Sequence, residues 1–161
     1  ELNLSEYQPS YEFVIKRREE LASLREQVKE WDKKLAKARK EHLTLSLDDY
    51  LKNNLTIGNN NVLISQTHAL EIDVLKDLVD RLVDKLGTAV VFMANKFDDR
   101  VIFVCKSKIN NLHAGNLVKE AAIITAGNGG GRPDFAQAGG KDVSKIDEAL
   151  EAIRRRIEGV L

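Results

Sequence analysis

The stretch with the greatest capacity for chemistry is Gly127–Lys141, GNGGGRPDFAQAGGK. Arg132 supplies a planar fork of N–H donors, Gln137 both a donor and an acceptor, and Lys141 a mobile charge. Lys106, Lys108 and Lys119 flank the segment that feeds this stretch, while Asp134 and Asp142 dilute its positive field. Glycine bares backbone N–H groups and lets a partner approach closely. A surface of this kind suits recognition of RNA shape, phosphate and 2′-hydroxyl groups better than reading of a base sequence. The same residues also suit a tight packing loop or a protein interface, and local chemistry leaves the three readings open.

Other chemistries find less support. The three histidines, His42, His68 and His113, stand at no metal-ligand spacing, and Cys105 has no neighbour to complete a zinc set. Asp98-Asp99 reads as turn geometry rather than a metal pair. No nucleophile sits in an elbow. The glycine run lacks the Lys-Ser/Thr ending of a phosphate-binding loop, and it follows a helical segment rather than a strand, so nucleotide fingerprints do not fit.

The elements that must hold these residues are legible from spacing. Pro9-Ser10 offers a breaker and an N-cap. From Tyr11 to about Leu45 there is no Pro or Gly. Val14, Leu21, Val28, Leu35 and His42 recur every seven residues, and Leu24, Trp31, Ala38 and Leu45 form a second series three positions later. This predicts a helical arm of about 50 Å with a narrow apolar seam. Leu21, Leu24, Val28, Trp31 and Leu35 are its candidates for pairing with another helix, in a second copy or elsewhere in the same protein. The bland alternative is a plain spacer, and the Lys33, Lys34, Lys37, Arg39 and Lys40 cluster reads as a solvated face or a phosphate contact.

Ser46-Leu47-Asp48-Asp49 is read as the cap of a short helix over 48–53, the GNNN of 58–61 as a turn and 62–66 as a strand. An amphipathic helix is predicted over 71–86, stopped by Gly87. Strands over 88–96 and 101–106 should form an antiparallel hairpin across FDDR. A parallel crossover should join 62–66 to 88–94. A helix over about 114–126, the glycine loop and a last helix over 145–158 complete the pattern. The expectation is an α/β fold: a coiled-coil-like helical arm, 1–47, followed by a compact domain, 48–161, with a mixed sheet and a glycine-rich loop.

The 161 residues carry 25 basic and 25 acidic side chains, so net charge advertises no nucleic-acid binder, although binding depends on the local field. A single cysteine, in the apolar run VIFVC, points to a reducing compartment and a cytoplasmic location. No apolar stretch approaches a membrane span, and the opening residues do not resemble a signal peptide. Glu1 in place of Met suggests a fragment of a longer protein.

Residues 129–141, GGGRPDFAQAGGK, resemble the signature of the C-terminal domain of alanyl-tRNA synthetases, a member of the DHH-associated class. The resemblance extends upstream through HAGNLVK, 113–119, and downstream to KIDEALEAIRRRIEGVL, 145–161. A heptad-like arm followed by such a domain is also the family's architecture. The resemblance implies a non-catalytic tail that contacts the elbow of tRNA(Ala), tethers aminoacylation and editing domains to one tRNA, and contributes to a homodimer. It places Gly129, Gly130, Gly131 and Arg132 at or beside the RNA-facing loop, with Gln137, Gly139 and Gly140 completing its shape. Lys106, Lys108, Lys119 and Lys141 become electrostatic candidates. No catalytic residue, metal or cofactor is expected in this stretch, and neither membrane nor DNA as a partner. The parent, a ligase, would use ATP, magnesium and zinc.

Two related arrangements stay open. DHH-type phosphoesterases use a domain of this class to bind substrate beside a catalytic module, but their glycine run usually leads to His, and here it leads to Arg132-Pro133. Free-standing alanyl-tRNA editing proteins carry a similar tail, with a zinc-binding motif that this sequence lacks. A purely structural dimerisation module is the third alternative.

Overall fold

The computed structural model describes residues 10–161, with side chains omitted over 36–46. By internal contacts the chain divides into two units, 1–44 and 45–161. The heptad positions Ala38, His42 and Leu45, and the cations Lys37, Arg39 and Lys40, lie outside the described side chains, so that part of the seam and of the cluster is outside the described residues.

Helix α1 runs Tyr11–Leu51, 41 residues. Ser10 caps it, its Oγ accepting from Phe13 N at 3.3 Å. Surface pairs lace the exposed faces, among them Arg17–Glu20 at 2.6 Å and Lys34–Glu30 at 3.8 Å. In the first unit the seam residues are uncovered: Leu21, Leu24, Val28, Trp31 and Leu35 are 50–70% exposed. The separate helix predicted over 48–53 is instead the end of α1. No Gly or Pro breaks the chain there, and the would-be cap Asp48 pairs with Lys85 at 3.3 Å rather than turning onto its own backbone.

The second unit is a six-stranded sheet between helices. Its strands are β1 (Asn54–Ile57), β2 (Asn60–His68), β3 (Ala89–Lys96), β4 (Val101–Ser107), β5 (Asn128–Gly131) and β6 (Phe135–Gly140). Helices α2 (Ile72–Leu86), α3 (Ala114–Ile124) and α4 (Ile146–Glu158) complete it. The spatial order is β1-β2-β3-β4-β6-β5, with β2 and β3 parallel and every other neighbouring pair antiparallel. Thus the mixed sheet, the 88–106 hairpin and the parallel crossover through α2 are all present.

β1 escaped the sequence reading because the asparagines of 59–61 resemble loop. The turn is confined to Gly58-Asn59, with Gly58 at φ 60°. Asn61 is a strand residue that accepts from Asn54 Nδ2 at 2.9 Å and donates to Leu86 O at 2.8 Å.

β3 is buried on both faces, as a central strand with helices on either side should be. Val90, Phe92 and Ala94 join Phe103, Cys105, Ala136 and Ala138 in one core with α3 and α4. The Phe92 and Phe103 rings stand 5.7 Å apart within it. On the opposite face α2 buries Leu75, Leu78, Val79, Leu82 and Val83 against β3 and β4. Among the described residues no helix is long and apolar enough to cross a membrane.

Candidate nucleic-acid interface

The glycine-rich stretch is a hairpin rather than a loop. Asn128–Gly131 pairs with Phe135–Gly140, Gly130 standing opposite Gln137 and Gly131 opposite Ala136. Its sequence has almost no strand propensity; close packing makes it a strand. A Cβ on Gly131 would lie 2.7 Å from the Ala136 backbone, and one on Gly115 would overlap the Gly131 carbonyl. Gly127, Gly129 and Gly140 are similarly filled by Gly139, Ala138 and Thr125. Gly130 differs, since its Cβ position opens onto empty space.

The turn Arg132–Asp134 is spent on architecture at its backbone. Arg132 O accepts from Gly115 N at 3.2 Å and Pro133 O from Ala114 N at 2.8 Å, which satisfies the opening N–H groups of α3. Asp134 O accepts from Ser107 N at 2.9 Å. The carbonyls therefore face inward, while the Arg132 side chain stays 76% exposed and pairs with Asp134 at 3.3 Å.

Strand alternation sorts the predicted site residues. Ala136, Ala138 and Gly140 face the α3 core, and Phe135, Gln137 and Gly139 face the other way. α2 packs on β3 and β4, and Gln137 on β6 is exposed. A strip poor in side chains results, running from Gln137 to Gly130 and Asn128. Of the glycines proposed for contact, Gly130 and Gly139 fit this strip, whereas Gly129, Gly131 and Gly140 serve close packing.

The cations occupy different places. Lys106 stands on β4 opposite Phe135, and Lys108 follows the end of β4. Lys108 lines a cleft of about 350 Å³ with Asn110, Pro133 and Asp134. Lys106 Nζ donates to Asp80 Oδ1 at 2.7 Å and Lys108 Nζ to Asp84 Oδ1 at 2.9 Å. The Lys108 ammonium holds the Asp84 carboxyl below its usual range. Lys119 is exposed on α3, which packs on the other face of the sheet, and Lys141 is exposed beyond β6. Asp80 and Asp84 were not singled out from the sequence; their spacing on α2 marks a helix face but not the cations it meets.

Among the described residues no three His, Cys, Asp or Glu side chains form a metal-binding group. His68 is exposed at the end of β2 and His113 just before α3. Cys105 is buried, and burial pushes its thiol far above the range of a reactive cysteine.

The DHHA1 domain model matches residues 59–159. The chain is 39% identical to an alanine–tRNA ligase of Alkaliphilus oremlandii over 140 residues, 84% of this chain and 16% of that protein. It is 37% identical to that of Clostridioides difficile over 134 residues, covering 81% and 15%. The C-Ala domain from Aquifex aeolicus alanyl-tRNA synthetase superposes with a TM-score of 0.60 at 29% identity, covering 66% of this chain and 98% of that domain. The chain thus spans about 16% of the length of the curated relatives it matches.

Proposed function

Because the chain belongs to the DHHA1 family and is homologous to the C-terminal region of alanyl-tRNA synthetases, we propose that it is a tRNA-binding tether without chemistry of its own. The observation that carries this reading is the strip of exposed Gln137 and half-buried Gly130, whose Cβ position is open, with Lys106 on the neighbouring strand, Lys108 beyond its end and Arg132 in the turn of the hairpin. A surface with few side chains lets a ribose-phosphate backbone lie close, and these cations supply charge beside it. The folded elbow of tRNA(Ala) offers such a backbone in a fixed shape.

In this reading the chain is part of a cytoplasmic alanine–tRNA ligase and keeps one tRNA within reach of aminoacylation and editing domains. ATP, magnesium and zinc would belong to those other parts. Most of the hairpin glycines are filled by close packing, and no described cluster offers three metal ligands. The uncovered α1 seam, Leu21, Leu24, Val28, Trp31 and Leu35, is the surface proposed for helix pairing in a homodimer.

A titration of the chain with folded tRNA and with an elbow-disrupted tRNA, at two salt concentrations, tests the reading. Folded tRNA should bind more tightly, with strong salt dependence; equal binding of both RNAs would remove the elbow from the proposal. Arg132→Ala should leave the fold intact and flatten the logarithmic salt slope, by less than the about 0.7–0.9 of an unpaired cation because Asp134 stands beside it. An unchanged slope takes Arg132 out of the interface.

A further inference from the structure

On α2, Asp73, Asp77, Asp80 and Asp84 follow one another at intervals of four, three and four residues, which sets them along one side of the helix. The last two reach the cations beside the open strip, through the Asp80–Lys106 pair at 2.7 Å and the Asp84–Lys108 pair at 2.9 Å. Arg132 is held in the same manner by Asp134. Each of these cations therefore starts with a carboxylate of this chain beside it.

The Asp84–Lys108 and Arg132–Asp134 pairs are exposed and add little to stability, and the Asp80–Lys106 pair is half-buried. Their larger effect is on the field outside the protein. An ammonium in contact with a carboxylate presents a distant phosphate with a dipole rather than a full charge. A phosphate must displace the carboxylate to gain the lysine.

We propose that Asp80 and Asp84 are specificity-determining residues of the RNA interface, which keep Lys106 and Lys108 neutralised against arbitrary polyanions and yield them to RNA that holds two phosphates in place together. This inference rests on the RNA-binding reading above. Folded RNA presents its phosphates at fixed spacing, whereas an unstructured strand must first be ordered to do so. Removing the carboxylates should thus favour the unstructured strand most.

The test uses the 161-residue chain and its double variant Asp80→Asn/Asp84→Asn, titrated with folded tRNA and with an oligouridylate of equal length across a salt series. The variant should bind oligouridylate about tenfold more tightly or better, with a smaller gain for tRNA, so that discrimination falls. Its salt slope for tRNA should steepen, because carboxylates freed in the wild type collect cations while the RNA sheds them. The same aspartate changes added to Lys106→Gln/Lys108→Gln should produce no gain. Asp84→Asn alone, where both partners are largely solvent-exposed and folding is not at stake, should show part of the rise. Unchanged oligouridylate affinity beside intact tRNA binding overturns the inference alone, as does an equal gain in the lysine-free background. Absence of any RNA binding, in wild type and variant alike, overturns the RNA-binding reading and the inference with it.

Discussion

At the scale of single residues, the glycines of the hairpin divide into those that hold the fold and two, Gly130 and Gly139, that leave space. Gly127→Ala drives a methyl into the Gly139 carbonyl, and should cost about 1–3 kcal/mol by overpacking, read from urea denaturation. Gly130→Ala meets nothing within 4 Å and should stay within about 0.5 kcal/mol of the wild type. Weakened tRNA binding in that stable variant would implicate the strip directly. Asp142 offers a pH-dependent counterpart. The Ser144 hydroxyl and N–H hold its carboxyl below the usual range. Its contribution to stability is fully present above the unfolded value near pH ~4 and is lost as pH falls through the lower folded value. Asp142→Ala should remove that portion of the acid dependence, seen as a shallower fall of Tm below about pH 4. Residue types were legible in this stretch, but residue roles were not. Nothing in GGG distinguishes Gly130 from Gly131 until Ala136 and Gly115 are known to lie against one of them.

Among the elements, those with strong periodicity were read well because their signal is local. α2 shows apolar spacing and a terminal Gly87, and the β3–β4 hairpin shows two apolar runs around a polar turn. β5 has no local signal; Gly131 is a strand residue because β6 and α3 leave room for nothing else. The passage from β2 into α2 depends on a similarly non-local contact. Asn95, fully buried on β3, accepts from Leu70 N at 3.1 Å and donates to Leu70 O at 2.8 Å. Asn95→Ala strips both Leu70 groups of that partner and should destabilise the domain by about 1–3 kcal/mol, measured by chemical denaturation. A cost below about 0.5 kcal/mol would mean that water replaces the amide freely.

On the scale of the whole molecule, the boundary between units falls after Thr44, inside α1. The second unit has its own core, and the Aquifex C-Ala domain matches about two-thirds of this chain over nearly its whole length. A chain that begins at Leu45 should therefore retain a single cooperative unfolding transition, with the same midpoint in calorimetry to within a few degrees. A broad transition would assign the earlier residues a part in the fold. The opening of α3 carries a different consequence. Its first N–H groups are satisfied by Arg132 and Pro133, which lie beyond it in the chain. During synthesis, α3 leaves the ribosome before those partners have emerged, and β4 emerges before the β6 strand that pairs with it. Ordering of this half of the sheet must wait for the hairpin to be made. A ribosome stalled before Pro133 has exposed would therefore hold a chain whose α3 start is still protease-sensitive, and a few dozen codons later that sensitivity should disappear.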